Sequence, residues 1–289
     1  MVRTWLQSRG GRIAAAVSSG VVARALSSFI AFVSLPLAVR YLGPERYGVW
    51  ATVTSTVIFL NLLDLGIAAT LTNHIARSFA LSDKHDAAKY TTNAIVLAML
   101  VAALAAAVLS AIWPHIDWVS LFNVSGAIPR AEVSATVAAA VALVLLGLPA
   151  SLTGRIFAGY QEVHRYNLIT AAAAVANLLG LIAGMTLRVS MPVLLAMATG
   201  WITLLNLCAL AALLLWTKAW LRPCAAHLGF GAAGELLSSG SGFFLIQIAG
   251  AVVFSSDNLV LSHYLGPVQV TPYSVTWRLV GLSAALQSL

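Results

Sequence analysis

Tyr41-Leu42-Gly43-Pro44 follows an apolar run near residues 18–40, and the same four residues return as Tyr264-Leu265-Gly266-Pro267 after an apolar run near residues 240–263. Gly266 lies 223 residues after Gly43. A repeat of this length in a chain of apolar segments is typical of transporters built from two similar halves around a central site. Because far fewer residues surround the second copy than the first, the sequence predicts one complete unit and the opening of another.

The composition places these apolar runs in a membrane. Hydrophobic residues make up 60% of the chain and charged residues 9%, and the mean hydropathy is +0.92. A soluble domain of this composition would leave too much apolar surface in water. A spanning helix needs about 20 mostly apolar residues. The sequence predicts spans near residues 18–40, 48–72, 92–113, 132–154, 168–187, 193–216 and 240–263, and an eighth that starts near residue 271.

The predicted fold is all-α. The chain is rich in Ala, Leu and Val and lacks the alternating ten-residue segments of membrane β-barrels, which favours a polytopic integral membrane helix bundle of about eight transmembrane helices. We expect a six-helix first lobe over residues 1–217 and a cytoplasmic linker, rich in Gly, Ser and Ala, over residues 218–239. The start of a second lobe then occupies residues 240–289.

The basic residues predict a cytoplasmic amino terminus. Loops on the side of the amino terminus hold ten of them, namely Arg3, Arg9, Arg12, Arg77, Lys84, Lys89, Arg155, Arg165, Lys218 and Arg222. Loops on the other side hold four, namely Arg40, Arg46, Arg130 and Arg188. An excess of Lys and Arg marks the cytoplasmic side. The net charge of +7 does not indicate nucleic-acid binding, because these residues do not cluster with aromatic residues on one face.

Four ionisable residues lie inside predicted spans, where a charge costs roughly 2.5 to 3.5 kcal/mol on insertion scales: Arg24, Asp64, Asp257 and Arg278. Arg24 and Asp64 lie at matching depth on consecutive antiparallel spans, as do Asp257 and Arg278. Two interpretations stay open. In the first, each acid and base form a structural ion pair, or Arg24 reaches the inner headgroups instead. In the second, the arginines line a polar cavity that binds an anionic substrate such as a phosphate.

Other polar residues are weaker candidates. Asn61 and Asn177 lie within spans and are expected to hydrogen-bond between helices, or to face a sugar-binding cavity. The six histidines lie in or beside loops without metal-ligand spacing, and the two cysteines suggest neither a disulfide framework nor a metal site. No nucleophile elbow or phosphate-binding Gly-rich loop is present. The sequence therefore predicts a protein that is not an enzyme, with no catalytic residue, metal or cofactor.

Two stretches carry a family resemblance. The segment Leu35–Trp50, followed by Leu62-Leu63-Asp64-Leu65-Gly66-Ile67, resembles the opening of polysaccharide-biosynthesis flippases of the Wzx type. These proteins share a superfamily with multidrug and toxic-compound extrusion transporters. Asp257-Asn258 ahead of the second Tyr-Leu-Gly-Pro, then Tyr273 and Trp277-Arg278-Leu279, is similar to the start of the family's second lobe.

The resemblance implies a two-lobed, multi-pass protein of the bacterial inner membrane that translocates undecaprenyl-diphosphate-linked oligosaccharide for polysaccharide or O-antigen synthesis by alternating access. Its implied partners are the lipid-linked oligosaccharide, membrane lipids and other polysaccharide-assembly proteins. Arg24 matches the basic lining expected of the cavity. The chain departs from the family by ending within its eighth helix, so we expect a truncated form in which one copy cannot close the cavity.

Two other functions remain as alternatives. One is a small-molecule antiporter of the multidrug-extrusion type, which by resemblance is expected to use an acid in its first helix, where this chain has Arg24 and no carboxylate. The other is a polytopic membrane enzyme of polysaccharide synthesis, which is expected to carry catalytic carboxylates in a long outside loop. The longest such loop, from Trp113 to Arg130, offers only Asp117.

Overall fold

The computed structural model describes residues 9–124 and 128–287, without the side chains of Arg9, Arg12, Ile13, Ile58, Phe254, Ser255, Arg278, Leu279 and 281–287. This described part forms helices and no strand. Its α-helices are α1 (Arg9–Val57), α2 (Ile67–Ala80), α3 (Lys84–Ile112), α4 (Trp118–Leu121), α5 (Arg130–Gly159), α6 (Val163–Thr186), α7 (Met191–Thr199), α8 (Trp201–Ala212), α9 (Phe230–Leu265) and α10 (Pro267–Gln287). The all-α prediction is confirmed.

Helix α1 is interrupted at Gly43, where φ is 75° and ψ is 168°. Only glycine adopts such a conformation without strain, and Pro44 follows it. A straight helix over Ala14–Asp64, 51 residues long, would extend about 76 Å, more than twice the thickness of the hydrocarbon core. The stretch therefore contains two crossings rather than one.

Contacts with α5 and α6 show that α1 crosses the bundle once before Gly43, and the later Asp64 lies back near Arg155 of α5, so the chain reverses at Gly43. Asn167, near the start of α6, donates to the carbonyl of Ala16 at 3.2 Å. Arg46, just after Gly43, pairs with Glu132 at the start of α5, with 2.7 Å between Nη1 and Oε1. Helices α5 and α6 meet through a tight turn, so Glu132 and Asn167 lie at opposite ends of the bundle. We call these ends the Gly43 end and the Arg155 end.

Five helical stretches of the described chain are long and apolar enough to cross a membrane: Ala14–Asp64, Lys84–His115, Arg130–Gly159, Val163–Thr186 and Phe230–Leu265. The pair Met191–Thr199 and Trp201–Thr217, bent by 48°, makes a sixth if it counts as one span. Because the first stretch reverses at Gly43, these six cover the first seven predicted spans. The eighth prediction corresponds to α10, which is helical but does not meet the same criterion.

The prediction of one continuous span over residues 48–72 is wrong. A 3₁₀ segment, Ile58–Asp64, follows α1, and the backbone then turns through Leu65 and Gly66, whose φ angles are 51° and 77°. Helix α2 starts afresh at Ile67. The backbone of Gly66 also packs directly on that of Gly240 in α9, where a Cβ would overlap the Gly240 carbonyl. The left-handed turn and this close approach both require the glycine.

The two copies of the repeat pack on each other at the Gly43 end. Thr271 donates its hydroxyl to the carbonyl of Pro44, and the carbonyl of Pro267 lies against Gly48. Pro44 and Pro267 are equivalent in the 223-residue repeat, and so are Gly48 and Thr271. If each residue is replaced by its equivalent in the other copy, the Thr271–Pro44 contact becomes the Gly48–Pro267 contact. A twofold axis between the units requires this correspondence. We call these four residues the repeat seam.

A second junction joins α9 to the bundle at the Arg155 end. The rings of His74 and Tyr90 stack with centroids 3.7 Å apart, and the Tyr90 hydroxyl donates to the Glu235 carboxylate. Glu235 Oε1 also lies 3.8 Å from His74 Nε2. Helices α2, α3 and α9 are therefore connected by one polar cluster, which we call the Glu235 cluster.

The segment that leads into α9 is anchored rather than free. Lys218 is buried, with its ammonium 3.1 Å from Glu162 Oε1 and 4.0 Å from the centroid of the Tyr160 ring. Asn93 donates to the carbonyl of His227 and accepts from the amide of Gly229. Polar contacts from α3 and from the α5–α6 turn thus fix the start of α9 against the first six spans.

Replacement of Gly48 by alanine is expected to separate the repeat seam. The new Cβ would overlap the Pro267 carbonyl, and a carbon and an oxygen need about 3.5 Å, so the helices must move apart by roughly 2 Å. Spin labels at Arg40→Cys and Tyr264→Cys, with Cys208 and Cys224 replaced by serine, should report a longer mean distance. Gly242→Ala is the matched control because its Cβ meets nothing within 4 Å. An unchanged distance in Gly48→Ala would show that the seam is not closely packed.

The Glu235 cluster predicts acid sensitivity. Burial lowers the pKa of His74 below its ordinary value, and the carboxylates of Glu235 and Asp86 offset this only in part, while Arg77 and Lys89 oppose protonation. Since the unfolded chain then binds the proton more readily, the stability from this site is complete above about pH 6.5 and is lost as the pH falls below it.

Thermal unfolding midpoints measured between pH 5 and pH 7.5 test this expectation. The wild type should lose stability on the acid side, and His74→Gln should lose less. The exposed His115 provides the control, and His115→Gln should follow the wild-type profile. Coincident profiles for the wild type and His74→Gln would exclude His74 as the group that titrates.

Candidate substrate cavity

A cavity of about 520 Å³ lies between the 3₁₀ segment, α5 and α9. Its walls therefore come from both copies of the repeat. The polar groups that line it are one carboxylate, one guanidinium, two amides and one hydroxyl, from Asp64, Arg155, Asn61, Gln247 and Ser151. Its volume falls within the range of small-molecule sites, which is roughly 300–1,000 Å³.

Asp64 is held in place by the turn that follows it. The amide of Ala68, in the first turn of α2, donates to Asp64 Oδ1 at 3.2 Å. This bond satisfies one of the free amides at the start of α2 and fixes the direction of the side chain. From the facing walls, the Gln247 side chain of α9 hydrogen-bonds to the Asp64 carboxylate, and the Arg155 guanidinium of α5 attracts it electrostatically.

Arg155 is the basic group of the cavity. Its side chain is exposed, and it has no carboxylate within 4.0 Å among the described residues. Gly147 and Gly250 line the same cavity from α5 and α9 and leave its centre open. An arginine with free donors beside amides and a carboxylate suits a ligand that carries both phosphate and hydroxyl groups.

The sequence analysis missed Arg155. It placed this residue in a loop, because the predicted span ended at residue 154, whereas α5 continues to Gly159. The overlooked signal is the absence of any Gly-Pro or Asn-Gly turn between Pro149 and Gly159. Continuing the helical register through Ser151 would have placed Arg155 one turn further along the same face.

The ion pair between Arg24 and Asp64, one of the two interpretations that the sequence left open, is not formed. Arg24 is exposed and lines a separate hollow of about 470 Å³ between α1 and α6, together with Asn167 and Thr170. Matching depth did not imply contact, because Arg24 points toward α6 whereas Asp64 faces α5 and α9. Asn61 and Asp64 do share the central cavity, as neighbours on one 3₁₀ segment.

The remaining predicted residues lie elsewhere. Asp257 accepts a hydrogen bond from the Tyr273 hydroxyl, whereas its predicted partner was Arg278, whose side chain lies outside the described residues. Asn177 accepts from the amide of Trp201 at 3.3 Å. It therefore caps α8 directly after the bend at Gly200 and does not line the cavity.

A solved structure shares this fold. The chain superimposes on the inward-facing conformation of a multidrug resistance MATE family transporter of the MOP superfamily with a TM-score of 0.68 and 17% sequence identity. The match covers 95% of this chain and 64% of that one. At this identity the likeness shows the fold alone, and it confirms the predicted polytopic helix bundle.

A sequence relative and a family model match nearly the whole chain. The chain is 22% identical over 277 residues to a putative O-antigen transporter of Salmonella typhi, with 94% of this chain and 62% of the relative covered. The chain thus spans less than two thirds of the length of that relative. Residues 13–286 match the family described as polysaccharide biosynthesis protein. The match extends over nearly the whole chain and confirms the family resemblance, so this chain belongs to the polysaccharide biosynthesis protein family.

Proposed function

We propose that this chain forms the first lobe and the opening of the second lobe of a flippase that moves polyprenyl-diphosphate-linked oligosaccharide across the bacterial inner membrane. The observation that carries the proposal is the exposed Arg155 guanidinium, which has no carboxylate within 4.0 Å among the described residues, in a polar cavity between the two copies of the repeat. The family and the O-antigen transporter relative support the same substrate class.

The cavity offers complementary chemistry for both parts of such a substrate. The planar guanidinium of Arg155 forms paired, charge-assisted hydrogen bonds to a diphosphate. Asn61, Gln247, Ser151 and Asp64 offer the mixed donors and acceptors that sugar hydroxyls need. The apolar prenyl chain stays in the lipid while the diphosphate and sugars lie in the cavity. No unpaired polar group of the ligand then enters the hydrocarbon.

The proposed orientation places the amino terminus and the Arg155 end on the cytoplasmic side. The excess of basic residues in the loops at that end supports it. The lobes comprise residues 1–217 and 240–289, joined by residues 218–239. In this orientation the ligand loads from the cytoplasm, and the repeat seam forms the outer closure.

A cation-coupled exporter of small molecules is the second candidate. Asp64 favours it, because a carboxylate in the cavity attracts cations and can take up a proton. The MATE-type fold is compatible with it. The two candidates differ in the side chain on which transport depends. It is Arg155 for an anionic lipid-linked substrate and Asp64 for a cationic one.

Arg155→Gln is expected to lower transport of lipid-linked oligosaccharide at least about tenfold, since a hydrogen bond to a charged group contributes roughly 1.5–3 kcal/mol. Transport is measured as the amount of precursor that becomes accessible to an added glycosidase on the far side of proteoliposomes, at equal protein content. Arg188→Gln, on an exposed turn outside the cavity, is the matched control and should transport normally.

Asp64→Asn separates the two candidates when glycosidase access to the lipid-linked precursor and cation-dependent uptake of a small molecule are both measured in proteoliposomes. A flippase should keep most of its transport, because an amide still bonds to sugar hydroxyls, whereas an exporter should lose cation-dependent uptake altogether. Wild-type transport in Arg155→Gln together with complete loss in Asp64→Asn would overturn the flippase proposal.

A further inference from the structure

A second hollow, of about 350 Å³, lies at the Gly43 end, between the end of α3, α4 and the start of α5. The sequence analysis considered this loop only as a site for catalytic carboxylates and found Asp117 alone. The structure brings Asp117 together with aromatic and basic side chains that no function described above uses. The residues that matter are Trp113, His115, Asp117, Trp118, Arg130 and Ser134.

Two indole rings form an angled wall of the hollow. The rings of Trp113 and Trp118 lie with centroids 5.1 Å apart and planes tilted by 50°. Trp113 Nε1 donates to Ser134 Oγ at 3.2 Å, and Trp118 packs on the buried ring of Phe122 at 6.0 Å between centroids. Both rings are therefore fixed before any ligand arrives, while part of each remains accessible.

Polar groups complete the hollow. Arg130 Nη1 and Asp117 Oδ2 form an ion pair of 3.3 Å, and their side chains are 78% and 48% exposed. A guanidinium has five N–H donors, so most of those of Arg130 remain available to a ligand. His115 is exposed beside them. The Asp117 carboxylate is held by Arg130 and by the amides of Val119 and Ser120. The planar guanidinium of Arg130 can bond two adjacent hydroxyls at once, as found along one edge of a sugar ring.

An aromatic belt at the membrane interface would account for the tryptophans alone. It does not account for the ion pair and the imidazole, which surround the same cavity and make it polar. A hollow with apolar rings on one side and planar charged groups on the other matches the two surfaces of a pyranose, which has C–H groups on its faces and hydroxyls around its edge.

The hollow is also attached to the second copy of the repeat. Ser262 of α9 donates to the carbonyl of Phe122 at 2.7 Å, and His263 Nδ1 lies 3.1 Å from the carbonyl of Leu121. Both contacts involve α4 or the residue that follows it, Phe122, whose ring packs on Trp118. A ligand in the hollow would therefore lie beside the repeat seam.

We propose that this hollow is a saccharide-binding site, which holds the sugar part of the translocated substrate on the outer side of the membrane. The proposal rests on the proposed function for its substrate and its orientation. It adds a second position for the oligosaccharide, separate from the Arg155 cavity and outside the closure.

Binding of a free oligosaccharide tests the site without any transport step. The protein is placed in lipid nanodiscs, where both faces are accessible, and titrated with the water-soluble oligosaccharide that mild acid releases from the polyprenyl diphosphate precursors of the source cells. Saturation-transfer NMR gives the dissociation constant. Arg130→Gln and His115→Ala should each weaken binding, by about tenfold for Arg130→Gln, and Trp113→Phe should alter the saturation pattern of the sugar C–H protons.

Arg188→Gln, an exposed arginine on another turn of the same end, is the matched control and should bind as the wild type does. Wild-type affinity in both Arg130→Gln and His115→Ala, or no saccharide binding by the wild-type protein, would overturn the site. The proteoliposome assay keeps the two proposals apart. Transport without binding at the hollow rejects only the outer site, and binding without transport rejects only the flippase.

Discussion

Close backbone contact between the two copies of the repeat is the constraint on which the rest of the structure depends. Gly48 lies against the Pro267 carbonyl, and Gly66 lies against Gly240. At both places a side chain would occupy space that the other copy already fills. Since apolar burial provides little driving force between helices in lipid, packing this close is what attaches the second copy to the first.

The same constraint places the cavity. Helix α10 is attached at the repeat seam, and α9 is attached at Gly66–Gly240 and at the Glu235 cluster. The cavity opens beside α9, where the α5 wall carries Gly147 and Ser151. Asp64 reaches the cavity because the chain turns sharply through Leu65 and Gly66 directly after it. One short irregular stretch therefore serves two purposes, as it lets α9 approach and it directs a carboxylate toward the ligand space.

Sequence patterns predicted the helices and their repeat well, because membrane burial leaves a long apolar signal and the Gly-Pro turns are local. The break after Asp64 was missed because Leu65, a residue that rarely adopts positive φ, gives no local signal of a turn. Arg155 was missed because the end of a span is ill-defined in sequence. The interpretation that paired Arg24 with Asp64 failed because depth along a helix says nothing about which side of it a residue occupies, and successive residues rotate by about 100°.

The exchanged contacts of the repeat seam have a mechanical consequence. Pro44 and Gly48 lie one helical turn apart, and so do Pro267 and Thr271, so the whole crossing extends only about 6 Å along each helix. A contact so short and so nearly symmetric behaves as a fulcrum: the two units can tilt about it through a considerable angle while the crossing itself keeps the same neighbours. Large movements at the far end of the bundle would then require only small adjustments at the seam, once the Glu235 cluster that joins the copies at that end has separated.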